Sequence, residues 1–390
     1  MASRHNVGNL ARVIHNHLSN ESERRMRSPL LVGFLLAVCP SGSAPGQYAP
    51  HIVDHVEVYN AADRFAGWPA NNGIWNWGDE IVVGFTLGYH KETDGHTIDR
   101  SRPSVPQQAR SLDGGMTWTI ETPSYATADG REREAVALSG PIDFTSPDFA
   151  ARFREGRYFY SLDRCRTWQG PLPLPKFGRP GLLARTDYLV EGKHRLTAFI
   201  AAEKEGGGEG QPLCIRTVDG GTTWKLVGCI GQQPPASYGY SIMPATVDLP
   251  GDAYLSIIRR GGVFDGQRRW WLEAFLSPDD GKSWYMLDQP NIDNAGNPAT
   301  LLRTSGGRLV MTYGWRRDPF GIRARVSDDQ GQSWSSEINL RADGRTWDLG
   351  YPRTVQRADG RLVTVYYFND RRQKERFIAA TIWDPNLEIE

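Results

Sequence analysis

The chain is poor in cysteine: four in 390 residues cannot staple a scaffold that lacks a core, so the fold must rest on its own apolar packing. It also lacks an excess of charge of either sign, with 45 Lys and Arg against 45 Asp and Glu. A balanced surface gives no long-range field to gather nucleic acid or an acidic membrane, so an anionic ligand must be met by a local cluster of arginines. Long apolar runs are missing as well: the ten residues Leu30 to Cys39 fall short of the roughly 18 that cross a bilayer as a helix. The scattered His and Cys residues show no metal-ligand spacing, and neither metal nor cofactor is expected. Nothing demands a second subunit, and a monomer is expected.

The first residues do have the layout of an export leader. Residues 1–25 are polar and basic, and Arg24, Arg25 and Arg27 stand just ahead of the apolar run. This matches the n-region and h-region of a signal peptide, with cleavage expected within residues 40–48. Met26 directly precedes the leader and is a candidate for the true start, which would make 1–25 an upstream extension. Residues 1–45 are therefore assigned to extension and leader, residues 46–390 to the folded domain, and the protein is expected to be secreted or periplasmic. Lipid anchoring at Cys39 is the lesser alternative, because Val38 stands where a lipoprotein signal has a small residue.

Beyond the leader the chain repeats one eight-residue phrase five times. Ser111-Leu112-Asp113-Gly114-Gly115-Met116-Thr117-Trp118 is the first copy, and Ser161–Trp168, Thr217–Trp224, Ser277–Trp284 and Ser327–Trp334 follow at intervals of 50 to 60 residues. In each, a hydroxyl residue and an Asp two positions later can accept hydrogen bonds from the N–H groups of a tight turn. Gly supplies the positive φ that such turns need. The closing Trp must be buried against something. A hairpin recurring at this period is too small to bury its own face, so neighbours must stack, and the expectation is a β-propeller.

The phrase resembles the Asp-box, or BNR repeat, of sialidases and their relatives. The resemblance implies an all-β, six-bladed β-propeller that takes up nearly the whole chain, with the Asp-box hairpins on the face away from the active site. It further implies an exported glycoside hydrolase of the exo-alpha-sialidase type acting on a terminal acidic sugar. Sialidases hold the substrate carboxylate with three arginines, attack with a Tyr activated by a Glu, and protonate the leaving oxygen with an Asp. Tyr replaces a carboxylate nucleophile because a second negative charge would repel the substrate.

Carried onto this chain, Gly350-Tyr351 resembles the nucleophile-bearing strand, which makes Tyr351 the candidate nucleophile. The proton donor would be Asp99 or Asp94, in the ionisable loop Tyr89–Arg100. Substrate-binding arginines would be Arg64, in a loose equivalent of the family's Arg-Ile-Pro phrase, then Arg259 or Arg260, and Arg317 or Arg323. The chain departs from the family at Ile242-Met243-Pro244, where the activating Glu should stand.

Two other readings stay open. A propeller lyase on uronic-acid glycans would use His96 with Tyr351 or Tyr240 to move the proton beside a carboxylate, neutralised by Arg185 or Arg353. A non-catalytic carbohydrate-binding propeller would use tryptophans, of which eight of thirteen lie outside the boxes. Cys214 and Cys229 flank the third box and form either a cross-strand disulfide or two buried thiols. Cys165 takes a Gly position of the degenerate second box and is expected to be a buried thiol.

Overall fold

The computed structural model describes residues 48–389 apart from 128, 132 and 235–238. The expected leader, with Met26 and Cys39, lies outside the described residues. Six small antiparallel sheets form a ring, the six-bladed propeller expected from the repeat. Each box joins the last two strands of a blade: Val105–Ser111 to Thr119–Glu121 in blade one, for example, and Glu209–Thr217 to Lys225–Cys229 in blade three. Blade six has no box. It is Gly350–Gln356, Leu362–Phe368 and Phe377–Ile389, completed by the N-terminal strand Tyr48–Tyr59 pairing antiparallel to Phe377–Ile389.

The box turns close as their residue types require. In the third, Thr217 Oγ1 accepts the Gly221 N–H at 2.9 Å, while Asp219 accepts from the Thr223 N–H at 2.9 Å and the Thr223 hydroxyl at 2.6 Å. The second box adopts the same turn without glycine, Arg164 and Cys165 taking φ of 56° and 64°. That conformation is disfavoured for residues with a Cβ. It is held there by ion pairs from Arg164 to Glu80 at 2.9 Å and Asp148 at 2.6 Å, and by burial of Cys165.

One apolar cluster fills each interface between neighbouring blades. Each box Trp packs into the interface with the preceding blade: Trp118 against blade six, Trp168 against blade one, Trp224 against blade two, Trp284 against blade three and Trp334 against blade four. Blade six, without a box, supplies Trp383 to its interface with blade five. This residue is fully buried, with its indole N–H on Thr364 Oγ1 at 3.0 Å.

Two details depart from the simplest repeat. Blade two has three strands, Ala150–Arg154, Arg157–Ser161 and Gln169–Pro173. Where an inner strand would lie, Trp75 of blade one reaches across and donates to Ala151 O at 3.2 Å. Cys214 and Cys229 are free thiols. The register pairs Cys214 with Gly228 and Leu213 with Cys229, and adjacent rungs point to opposite faces, so the cross-strand disulfide does not form.

Candidate functional site

Because every box sits at one end of its hairpin, the opposite face carries the starts of the inner strands and the loops after the second strands. His96, in the loop between Glu80–Tyr89 and Val105–Ser111, lies on this face. So do Trp347 and Asp348, just ahead of Gly350–Gln356, and Arg316, just after Leu309–Trp315. These four meet near the ring axis.

The inner strand of blade six bends to deliver Tyr351. Gly350 has φ of 104° and Tyr351 φ of 48°, and the strand register slips between Gly350 and Arg353. A left-handed conformation at a non-glycine residue costs about 1–3 kcal/mol and persists only where the surroundings impose it. Here buried Asn297 imposes it, accepting the Tyr351 N–H at 2.9 Å and donating to Leu349 O at 2.7 Å. Met243 makes the same departure in blade four (φ 54°) and Trp68 in blade one (φ 60°), each again just before a proline. Bulges of this kind re-aim side chains at ring axes and active sites.

Asp348 is the hub. Its buried carboxylate takes His96 Nδ1 at 2.6 Å, the Tyr367 hydroxyl at 2.8 Å, the Thr97 N–H and hydroxyl at 2.9 Å each, and Arg376 Nε at 3.2 Å. Burial alone would raise its pKa; the His96 hydrogen bond, with the His96 and Arg376 charges, outweighs that and keeps it ionised well below the usual carboxylate range. With Nδ1 engaged, His96 has its Nε2 left for a ligand. Its ring meets Trp68 edge-on at 5.4 Å, lies against Trp347 at 5.4 Å and faces Tyr351 at 6.4 Å.

Arginines surround Tyr351. Arg259 reaches its hydroxyl at 3.3 Å and sits over the Tyr240 ring at 4.9 Å. Burial pulls the Arg259 pKa down, but the Tyr351 and Tyr240 hydroxyls and the Glu209 carboxylate hold it above its ordinary value. Arg316, buried, donates to the Tyr367 hydroxyl at 3.0 Å and lies 5.5 Å from the Tyr351 ring centre. Arg185 bonds Asn71 at 3.1 Å; its pKa is lowered by burial, with Tyr351 the strongest opposing influence. Deeper in the channel, Arg353 is tied to the carbonyls of Ala70 and Thr186 and faces Asp187.

The structure thus gathers Tyr351, His96, Arg259, Arg185 and Tyr240 from the sequence candidates, with Arg353 below them. The others lie elsewhere. Asp99 turns its carboxylate onto Ser101 at 2.6 Å and lies 3.9 Å from Lys91, and Asp94 is exposed. Arg64 stacks on Tyr89 at 4.2 Å. Arg323 is buried inside blade five against Glu337 at 3.2 Å and Asn339 at 2.9 Å, and Arg317 pairs with Asp293 at 2.5 Å. Arg260 points to the other side of its strand, onto Glu273. Sequence reasoning missed Arg316 and Asp348, and it placed Trp68 and Trp347 only among the eight tryptophans outside the boxes. Arg316 is the immediate neighbour of a chosen candidate, and Asp348 stands three residues before Tyr351, but no local pattern marks either. Among the described residues no cluster of His, Cys, Asp and Glu could hold a metal ion, and no helix is long and apolar enough to cross a membrane.

Ring, box hairpins and arginine-lined axis together define a sialidase-like six-bladed propeller. A family model of the BNR repeat-like domain matches residues 145–364. That is more than half of the chain, and the chain belongs to that family. A comparison with curated proteins gives no significant match. Among solved structures, a protein of unknown function from Dyadobacter fermentans is similar at 23% identity and TM-score 0.65, over 87% of this chain and 99% of that one. An alpha-L-arabinanase from Penicillium chrysogenum is similar at 12% identity and TM-score 0.54, over 86% and 99%. A sialidase from Streptococcus pneumoniae is similar at 12% identity and TM-score 0.54, over 88% and 71%. At these identities the likeness is one of fold.

Proposed function

We propose that the protein is a glycoside hydrolase that removes an acidic sugar from a glycan, working as an exported monomer whose folded domain is residues 46–390. The observation that carries this reading is Tyr351, fixed in a strained conformation between the Arg259 guanidinium and the His96–Asp348 pair. Arg259 and Arg316, with Arg185 beside them, would hold the substrate carboxylate. Tyr351 would attack the anomeric carbon and pass its hydroxyl proton to a water in the site, since Ile242-Met243-Pro244 supplies no Glu to take it. As the glycosidic bond breaks, His96, oriented through Nδ1 by Asp348, would give the leaving oxygen its proton from Nε2, and the neutral imidazole would then take a proton from the water that displaces Tyr351. His96 takes the role that the family resemblance gave to Asp99, whose carboxylate is turned onto Ser101. Solved neighbours named as a sialidase and an arabinanase support a carbohydrate substrate.

The same His–Asp pair favours one second reading. A histidine braced by a buried carboxylate is also suited to abstract the proton beside a uronic-acid carboxylate, with Tyr351 protonating the leaving oxygen, which is elimination rather than hydrolysis.

Product mass after incubation with sialylated and uronic-acid oligosaccharides decides between them. Hydrolysis adds one water across the cleaved bond; elimination leaves an unsaturated sugar absorbing in the near ultraviolet. Under the hydrolase reading, Tyr351→Phe and His96→Ala should each lower kcat/KM by a factor of about 100 or more. Turnover unchanged in both variants would sink both enzymatic readings.

A further inference from the structure

Between blades three and four, away from the ring axis, lies a cleft of about 780 Å³. The last strand of blade four is only Tyr285–Met286, extended by a single bridge from Leu272 to Ile292, so the outer edge of the preceding strand, Gln267–Ser277, has no ladder partner over residues 267–271 among the described residues. Alternation along that strand turns Arg269, Trp271, Glu273 and Phe275 to the same side, and the register sets Arg260 opposite Trp271. Hence Arg260 opens into this cleft while Arg259, one residue earlier, serves the axis. Arg269 marks the end on the functional face and Trp284 the box end, so the cleft runs along the height of the blade.

The floor is polar and fixed. Arg260 donates to one oxygen of buried Glu273, and the Trp271 indole N–H donates to the other at 2.8 Å. Arg260 Nε is buried and has no hydrogen-bond partner among the described residues. The walls are apolar, from Trp271, Trp284, Phe275 and Met286. Two arginines, Arg260 and Arg269, stand against two carboxylates, Glu273 and Asp293, among the residues lining the cleft. A charged ligand would therefore find little net field to favour it. An uncharged polyol would find ring faces for its apolar side and fixed donors and acceptors for its hydroxyls. The volume falls within the roughly 300–1,000 Å³ of small-ligand sites.

We propose that this cleft is a second carbohydrate site that holds a neutral oligosaccharide segment without cleaving it. The proposal does not rest on the reaction at the axis. Electrophoresis of the full chain through gels containing soluble arabinan, galactan, arabinoxylan or dextran tests it. At least one polymer should retard the wild type, and Trp271→Ala should weaken that retardation by about tenfold in Kd. Met286→Lys, at a position 52% exposed, places a charge on the wall without touching the core and should weaken it likewise, which covers the case in which Trp271→Ala fails to fold. Tyr351→Phe should be retarded as strongly as the wild type. Retardation by none of the four polymers, equal retardation of Met286→Lys and wild type, or its loss in Tyr351→Phe would overturn the proposal.

Discussion

Asp187 shows how the ring axis treats an ionisable residue. Burial pushes its carboxyl up to about 7, and the charge of Arg353 offsets this only in part; one of its oxygens is buried with no hydrogen-bond partner. The folded state therefore holds the proton more tightly than the unfolded chain, where an Asp titrates near 3.9. This group's contribution to stability is complete below about pH 4 and is lost as pH rises toward 7. Asp187→Asn, uncharged throughout, should gain on the wild type in Tm as pH rises from about 4 to 7, with the difference levelling off above that. A pH-independent difference would show that the carboxyl is not held protonated. Single residues are also where sequence reading reached least far. The family resemblance nominated Tyr351 and the ionisable loop nominated His96, and the structure brings the two rings to 6.4 Å, but the Asp348 that orients His96 is 252 positions away, a pairing that only ring closure creates.

At the scale of the element, the box is a turn held by one carboxylate. The Asp113 carboxyl, raised by burial, is nonetheless pulled down to about 2 by the hydroxyl and N–H of Thr117, with Ser111 and Met116 adding to this, and Asp163, Asp219, Asp279 and Asp329 are lowered by the same partners in their own boxes. Groups whose folded pKa is depressed stabilise above the unfolded value and lose that contribution as pH falls through the folded one. Thermal melts should therefore show Tm falling steadily from about pH 4 toward pH 2. Asp219→Ala leaves the Thr223 N–H and hydroxyl without their acceptor and should cost about 1–3 kcal/mol in denaturant unfolding, while activity at low temperature persists because the turn lies on the face opposite Tyr351. These elements were readable in advance because turn chemistry is local. Blade two was less readable: its missing inner strand is compensated by Trp75 from the neighbouring blade, a contact with no local signature.

At the scale of the molecule, the ring is only as stable as its closure. The strand Tyr48–Tyr59 is the far edge of blade six, and Val58 belongs to the cluster that joins blades six and one. Deleting residues 48–59 would bare the edge of Phe377–Ile389 along its length, and an exposed edge invites pairing with another chain. The deleted protein should melt lower and associate in a concentration-dependent way, read by calorimetry and light scattering; a monomer with unchanged Tm would mean that the ring closes without this strand. The sequence by itself determined the repeating hairpin, the number and spacing of the boxes, and a tryptophan closing each box that had to be buried. These follow from turn geometry, strand alternation and burial, which act over a few residues. Tertiary structure alone decided which arginines share the axis: Arg259 rather than Arg260, and Arg316 rather than Arg317 or Arg323. A strand sends adjacent side chains to opposite sides, and only the stacking of blades fixes which side becomes the centre.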